Sequence, residues 1–291
     1  MDALCWLLYD EQDYLQNLDF AAHLKVEGQK RGLEVVPVVT SRLSLGIGPA
    51  GKPYARIPGD DRLPDAVLSR QRSSFISAHL EAMGIPVFNN AKVCLLCNDK
   101  RKTHQFLAGL PMLASSFSLP GQDLPLPLPG QYPLVVKPAC SHGGDRVFLV
   151  HHEEEWKQAV LRIAPQPLLC QQAASHPGLD LRVYVVFGHI IAAVLRRAED
   201  GFLSNYKKGG HVTLHSLTPE EKALAESVME RFEKAGAPLA FAGIDFLYHE
   251  DGPVLSEVED VVGSRMLYQV SDIDIAGLFL DGVRERVTAR R

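Results

Sequence analysis

AGIDFLYHEDGPVLSEVED, residues 242–260, reads as two strands joined by the turn Glu250-Asp251-Gly252. Asp245 interrupts an apolar run of Ile244, Phe246 and Leu247, and a carboxylate inside such a strand needs a partner. Glu257 and Glu259 stand two apart on the second strand, so their side chains leave the same face of the pleat. Three carboxylates can therefore converge. An all-oxygen cluster beside a polyphosphate suits Mg²⁺, a hard cation that keeps octahedral oxygen ligation. The plainer alternative is that the two glutamates form the solvated face of an edge strand.

Working upstream, DLRVYVVFGHIIAAVLRRAEDGFLSNYKKGG (residues 180–210) gives a pair of strands, 181–187 and 189–196, around Gly188. Asp180, Arg182, Arg196, Asn205, Lys207 and Gly209-Gly210 punctuate a sheet built of Val, Ile, Ala and Phe, and charges placed this way can line a cleft for anionic oxygens. A solvated sheet face is the alternative, and Arg197 and Lys208 read that way. Further upstream, VVKPACSHGGDRVFLV (residues 135–150) ends an apolar strand on Lys137 and follows it with a small-residue loop holding Ser141, Gly143 and Gly144. Lysine meets phosphate oxygens as a point charge, and glycines let backbone N–H groups approach them. The loop is not a Walker A sequence, and a hairpin turn with an exposed lysine would look similar.

The first third alternates strand and helix: strand 4–9, helix 14–31 ending at Gly32, strand 35–39, then a Gly/Pro-rich connection over 46–64, strand 66–69, helix 75–83 and a short strand 86–88. This predicts a parallel sheet with covering helices. Ligands of such sheets gather beyond the carboxyl ends of the strands, which points at Asp10, Ser41, Arg42 and Arg70. Helices over 91–97 and 99–109 follow, then strands 112–119, 134–137, 146–150 and 168–172 and a helix over 153–163, with the proline-rich 120–133 as a surface connection. Thr218-Pro219-Glu220-Glu221 opens another helix with an N-cap, a proline in the first turn and acids at the positive dipole end. Cys94 and Cys97 lack a second ligand pair for zinc and read as small hydrophobes on a short helix.

Composition bounds the rest. The 291 residues suffice for two or three packed subdomains, and 46% hydrophobic with 22% charged residues excludes global disorder. A net charge of -5 leaves no large positive field to collect nucleic acid. The apolar start is too short and lacks basic flanks for a signal peptide, no stretch has membrane-spanning length, and five scattered cysteines do not form a disulfide framework. The expectation is a soluble, cytoplasmic protein.

Taken in order, Asn98-Asp99-Lys100 with Thr103 and Gln105, Val136-Lys137-Pro138, Ser141-His142-Gly143-Gly144, Gln171-Gln172, Asp180-Leu181-Arg182, Ala192-Ala193 with Arg196, Ser204-Asn205 with Gly209-Gly210, Gly243-Ile244-Asp245 and Gly252-Pro253 with Glu257-Val258-Glu259 resemble the ATP-grasp superfamily, and within it the RimK-like carboxylate–amine ligases. No single motif carries the resemblance; the ordered set over residues 90–263 does. It implies an α/β amino-terminal domain (1–90) followed by an α+β ATP-grasp fold, with a central subdomain (91–175) and a carboxy-terminal subdomain (176–291) clasping ATP between antiparallel sheets.

The resemblance further implies Lys100 and Lys137 on the phosphates, Ser141, Gly143 and Gly144 in the covering loop, Gln171 and Gln172 near the adenine, and Asp180 near the ribose or phosphates. Asp245, Glu257 and Glu259 would hold two Mg²⁺, with Mn²⁺ as a substitute, and Arg182, Arg196 and Asn205 would face the γ-phosphate and an acyl phosphate. The implied reaction joins a small-molecule carboxylate to an amine, with an amino acid or peptide on one side, in a homo-oligomer as is the family's habit. Phosphoryl transfer to a carboxylate asks for positioning and charge neutralisation rather than a protein nucleophile, so Cys140 and His142 read as loop fillers. Where relatives carry Glu-x-Asn and a Ser-Pro-Gly turn, this chain has Glu257-Val258-Glu259 and then Gly263-Ser264-Arg265. Ser264 and Arg265 open a helix and, with Arg70, are expected to hold a substrate carboxylate, unless Ser264 is only an N-cap. An ATP-grasp kinase and a non-catalytic nucleotide-binding module are the competing readings.

Overall fold

A computed structural model describes residues 2–119, 132–144, 146–199, 201–202, 210–250 and 252–290. β1 (Ala3–Tyr9) is buried at every position, as a strand covered on both faces must be. The chain continues through α1 (Glu11–Gln16), α2 (Leu18–Gln29) and β2 (Leu33–Val39). One helix was expected over 14–31; instead Asn17, at φ -127°, separates two, because its amide donates to the Asp13 carbonyl at 2.7 Å and takes the place of helix continuation. The connection over 46–64 is also not featureless, since β3 (Ser44–Ile47) and β4 (Pro53–Arg56) pair as a hairpin within it. β5 (Ala66–Ser69), α3 (Ser74–Ala82) and β6 (Val87–Phe88) complete a parallel sheet in the order β2-β1-β5-β6.

α4 (Ala91–Cys97) and α5 (Lys100–Phe106) are capped by the side chains of Asn90 and Asp99, and Cys94 is buried on the first as a hydrophobe. β7 (Ser115–Phe117), β8 (Leu134–Pro138), β9 (Phe148–Val150) and β10 (Leu168–Gln172) form an antiparallel sheet in the order β7-β10-β8-β9. Between β9 and β10, α6 (Glu153–Ile163) buries Trp156, Ala159 and Ile163 against it.

The largest sheet comes next in the chain: β11 (Leu179–Val186), β12 (His189–Arg197), β13 (His211–His215), α7 (Pro219–Lys234), β14 (Phe241–His249) and β15 (Gly252–Glu259), with the strands ordered β13-β12-β11-β14-β15 and all antiparallel. α7 has the N-cap and first-turn proline that its opening residues predict, adds a capping box through Glu221, and packs Leu224, Ala225, Val228 and Phe232 onto one face of this sheet. α8 (Arg265–Val270) and α9 (Ile275–Thr288) follow, and α9 lies against α2, so one apolar cluster runs from Ala3 to Val287. No helix among the described residues is long and apolar enough to cross a membrane.

Candidate active site

Strand register builds the site. On β14, Asp245 lies opposite Glu257 of β15 and Gly243 opposite Glu259, so all three carboxylates share a face. One oxygen of each lies within 4.8 Å of the others, an oxygen donor set that fits a hard divalent cation. A register shift after Asp245 passes over Ser256, a bulge of the kind that re-aims side chains beside functional sites. On the other side of β14, Arg182 of β11 is the cross-strand neighbour of Asp245, and Asp180 that of Arg196 on β12.

The side chains follow the register. Arg182 grips Asp245 through Nε at 2.8 Å and Nη2 at 2.6 Å, and Arg196 donates to Asp245 at 2.8 Å and to Asp180. The partner that Asp245 requires inside an apolar strand is thus a pair of guanidiniums. Burial alone would raise its carboxyl, but Arg182 and Arg196 outweigh that and hold it below the usual carboxylate range. Burial likewise acts on Glu257, where Lys100 at 3.4 Å wins and lowers it, whereas Glu259 is raised by burial with Asp245 and Glu257 beside it, despite Arg182 at 3.0 Å. A Cβ on Gly243 would lie 2.7 Å from Val262 and 3.3 Å from Arg182 Nε, so a side chain there would have to displace Val262 and would crowd Arg182.

A cleft of about 1150 Å³ runs past these groups. Lys137, at the end of β8, bonds Gln171 of β10 at 3.0 Å, while Lys100, the first residue of α5, donates to the Ser141 carbonyl. Gly143 and Gly144 both adopt positive φ, 67° and 72°, which favours glycine in this loop. Gln172 and Asp180 also line the cleft. Partial burial of the Cys140 thiol, with Asp99 nearby, raises it, away from the thiolate a nucleophile needs. Asn205, with Ser204, Lys207 and Gly209, lies outside the described residues.

At the amino-terminal side, Arg70 follows β5 and is buried, with Phe20 and Phe241 rings 5.2 and 5.6 Å from its guanidinium carbon. Its Nη2 donates to the Val262 carbonyl at 2.8 Å, while buried Nε and Nη1 have no partner. Asp10, Ser41 and Arg42 do not line the cleft: Asp10 accepts from Thr40 at 3.0 Å, and Ser41 and Arg42 are exposed on a turn that carries them off the strand's axis. Ser264 is buried but makes no capping bond, so the simple N-cap reading is not what the structure has; Arg265 is exposed and reaches the Gln16 carbonyl at 2.6 Å.

Arg72 and Asp260, which line the cleft, escaped the sequence reading, as did His104, which does not line it. Arg72, two residues beyond Arg70, pairs with Asp13. Asp260, next to Glu259, is pushed up to about 7 by burial although both its oxygens accept from Asn98 at 3.0 Å. His104 joins β7 to β15 through Ser115 at 3.1 Å and the Ser256 carbonyl at 3.2 Å, and burial and Lys137 push it down to about 4. The adjacency of Asp260 to the paired glutamates was a usable signal; nothing local marks His104.

A sequence profile of the RimK-like ATP-grasp domain matches residues 97–283. The chain belongs to the RimK-like ATP-grasp family. It is 26% identical over 291 residues to a probable alpha-L-glutamate ligase of Aliivibrio fischeri, covering 95% of each chain. It is also 31% identical over 240 residues to beta-citrylglutamate synthase B of Danio rerio, covering 79% of this chain and 58% of that one. In fold it is similar to the D-alanine–D-alanine ligase of Bacillus anthracis solved with ATP, at a TM-score of 0.73 and 16% identity over 100% of this chain and 99% of that one. As a RimK-like ATP-grasp protein it is an ATP-dependent ligase of the class that forms C–N bonds.

Within this ATP-grasp cleft, burial and Lys100 push Lys137 down to about 8, against the pull of Glu257. Lys137 is then a cation below that pH and neutral above it, and on the expectation that it meets the phosphates, nucleotide affinity should fall as pH rises through about 8. The test is the Kd for ADP against pH: wild type weakens above that pH, whereas Lys137→Arg, which stays charged, holds its affinity. A flat wild-type profile would remove Lys137 from the phosphate contacts.

Proposed function

We propose that the protein activates a substrate carboxylate with ATP and joins it to the amino group of an acidic amino acid. The carboxylate oxygen attacks the γ-phosphorus and ADP leaves; the amine then attacks the acyl phosphate carbon, phosphate leaves, and the amine proton passes to solvent. The observation that carries this reading is the register of β14 and β15, which groups Asp245, Glu257 and Glu259 while Lys100, Lys137, Arg182 and Arg196 surround them. Such a wall supplies charge neutralisation and positioning, which phosphoryl transfer requires, rather than a nucleophile.

Lys100 and Lys137 would bind phosphate oxygens beneath the loop of Ser141, Gly143 and Gly144, with Gln171 and Gln172 toward the adenine and Asp180 toward the ribose. Asp245, Glu257 and Glu259 would hold two Mg²⁺, whose role when bound is to neutralise phosphate charge. Arg182, Arg196 and Asn205 would meet the transferring phosphoryl group.

The amine side rests on Arg70. Its guanidinium is buried in the cleft wall with Nε and Nη1 lacking a hydrogen-bond partner, and a carboxylate oxygen would give either of them a charge-assisted acceptor. Ser264 and Arg265 flank the same end of the cleft. The names of the relatives make L-glutamate the first amine to assay.

The test is ADP release with L-glutamate and a panel of small acids, followed by mass analysis of the product. Release that needs both acid and amine is expected. Phosphorylated acid formed without amine would instead make the protein a kinase. In Arg70→Gln the amine KM should rise at least about tenfold with ATP kinetics unchanged. An unchanged amine KM would take Arg70 out of the substrate site.

A further inference from the structure

The spacing of side chains on β15 does not fit a plain strand. Leu255 and Val258 both enter the apolar cluster that α7 covers, while Glu257 and Glu259 line the cleft. A strict period of two would put Leu255, Glu257 and Glu259 on one face, so the glutamates would share the core with Leu255. The chain avoids this at Ser256. Phe246 of β14 pairs with Leu255 and Asp245 pairs with Glu257, so Ser256 has no partner on β14 and the pleat changes phase across it. The direction of Glu257 into the cleft is therefore a property of this one bulge.

His104 touches the bulge from outside the sheet. It lies one helical turn beyond Lys100 on α5, and residues four apart share a helix face. From that face Lys100 lies 3.4 Å from the Glu257 carboxylate, and His104 Nε2 lies 3.2 Å from the Ser256 carbonyl. A carbonyl only accepts, so Nε2 carries the hydrogen of this bond. Nδ1 meets the Ser115 hydroxyl at 3.1 Å, and the Phe117 ring stands edge-on to the imidazole at 6.2 Å between centroids. The ring is thus held from β7, buried, with one nitrogen aimed at the residue that the ladder skips.

We propose that His104 is a positioning residue for Glu257: its Nε2–H bond to the Ser256 carbonyl fixes the bulge in the phase that turns Glu257 into the cleft, and the metal affinity of the carboxylate set depends on that bond. This rests on the assignment of Asp245, Glu257 and Glu259 to the metal. A side chain that orients a ligand from behind typically contributes about 10- to 100-fold in metal affinity.

The two ring nitrogens separate this role from packing. Glutamine places its amide nitrogen near the position of Nε2 and asparagine near that of Nδ1, so His104→Gln keeps a donor for Ser256 and His104→Asn keeps only the contact with Ser115. The full chain is titrated with Mn²⁺ at saturating ADP, bound ion is read by electron paramagnetic resonance, and the Mn²⁺–ADP signal of protein-free samples is subtracted. Metal-free ADP affinity and urea unfolding are measured alongside. His104→Asn should lose at least about tenfold in Mn²⁺ affinity and His104→Gln should stay within about threefold of wild type, with metal-free ADP affinity the same in both.

Equal Mn²⁺ affinities in the folded Asn and Gln variants, at the wild-type level or equally weakened, overturn the proposal, because packing alone does not tell the two apart. Wild-type protein supplies an arm that needs no variant to fold. A long-range proton–nitrogen correlation spectrum of protein labelled in its histidine rings should show His104 carrying hydrogen on Nε2 near neutral pH; hydrogen on Nδ1 alone overturns the proposal. Glu257→Gln tests the underlying assignment separately. If it leaves Mn²⁺ affinity unchanged, the metal lies elsewhere and both ideas fall; if it abolishes Mn²⁺ binding while His104→Asn retains it in full, only the role of His104 falls.

Discussion

Glu257→Gln is expected to abolish ATP turnover and to leave the fold in place. The substitution keeps the shape of the side chain and removes one charge from a cluster whose oxygens lie within 4.8 Å of one another. It also takes from Lys100 the anion 3.4 Å away, so a cation assigned to phosphate loses its anchor at the same time. Glu257 retains 28% side-chain exposure, so little stability depends on it. The expected loss is at least about 10³-fold in kcat, near 4 kcal/mol of transition-state stabilisation, the scale of removing one essential electrostatic group. Phosphate release measured alongside circular dichroism and ADP affinity checks it. A folded variant turning over within about tenfold of wild type would remove Glu257 from the metal set.

Asp245→Ala is expected to unfold at markedly lower denaturant concentration than wild type. Arg182 and Arg196 have side-chain exposures of 6% and 10%, and Asp245 is their common acceptor. Removing one partner of a buried pair costs about 3–5 kcal/mol because the remaining charge is left uncompensated. Here Arg182 keeps Glu259 and Arg196 keeps Asp180, which puts the expectation at the lower end, about 3 kcal/mol. The double variant Asp245→Ala, Arg182→Met should recover part of this loss by removing one stranded cation. A single variant within about 1 kcal/mol of wild type in urea unfolding would mean that Asp245 does not anchor the sheet.

The parts of this architecture written in short-range pattern were legible from sequence. The parallel strands around β1, the N-cap of α7 and the paired glutamates of β15 each follow from periodicity or cap chemistry within a few residues. The break at Asn17 was not, because it depends on a side-chain bond to Asp13 competing with a helix that the apolar pattern permits. α9 went unread although Ile275, Phe279, Val283 and Val287 recur at helical spacing, since no motif drew attention to it. In the cleft, Lys137, Asp180, Arg182, Arg196 and Asp245 were identifiable one by one as charges emerging from apolar strands, whereas Lys100 came only from the family resemblance and Arg72 and Asp260 were missed. The mutual pairing of these charges was not identifiable, because it depends on register between β11, β12 and β14, which residue types alone do not specify. Arg70 was found by the rule for strand ends, and the same rule failed for Ser41 and Arg42, which a turn carries into solvent.

The packing of α9 on α2 bears on how the chain acquires its structure. Arg31 at the end of α2 reaches Asp274 at 3.5 Å and Asp281 at 3.1 Å, and Phe279, Leu280 and Val283 enter the same apolar cluster as Leu7 and Leu24. β1 therefore finishes its core with α9, a helix synthesised more than 260 residues after it. Until α9 arrives, the nascent β1 sheet carries an uncovered apolar face, and contacts of this sequence separation form slowly because a long loop must close first. Synthesis in this protein runs ahead of burial, and the interval between β1 and α9 is when the growing chain most needs protection from aggregation.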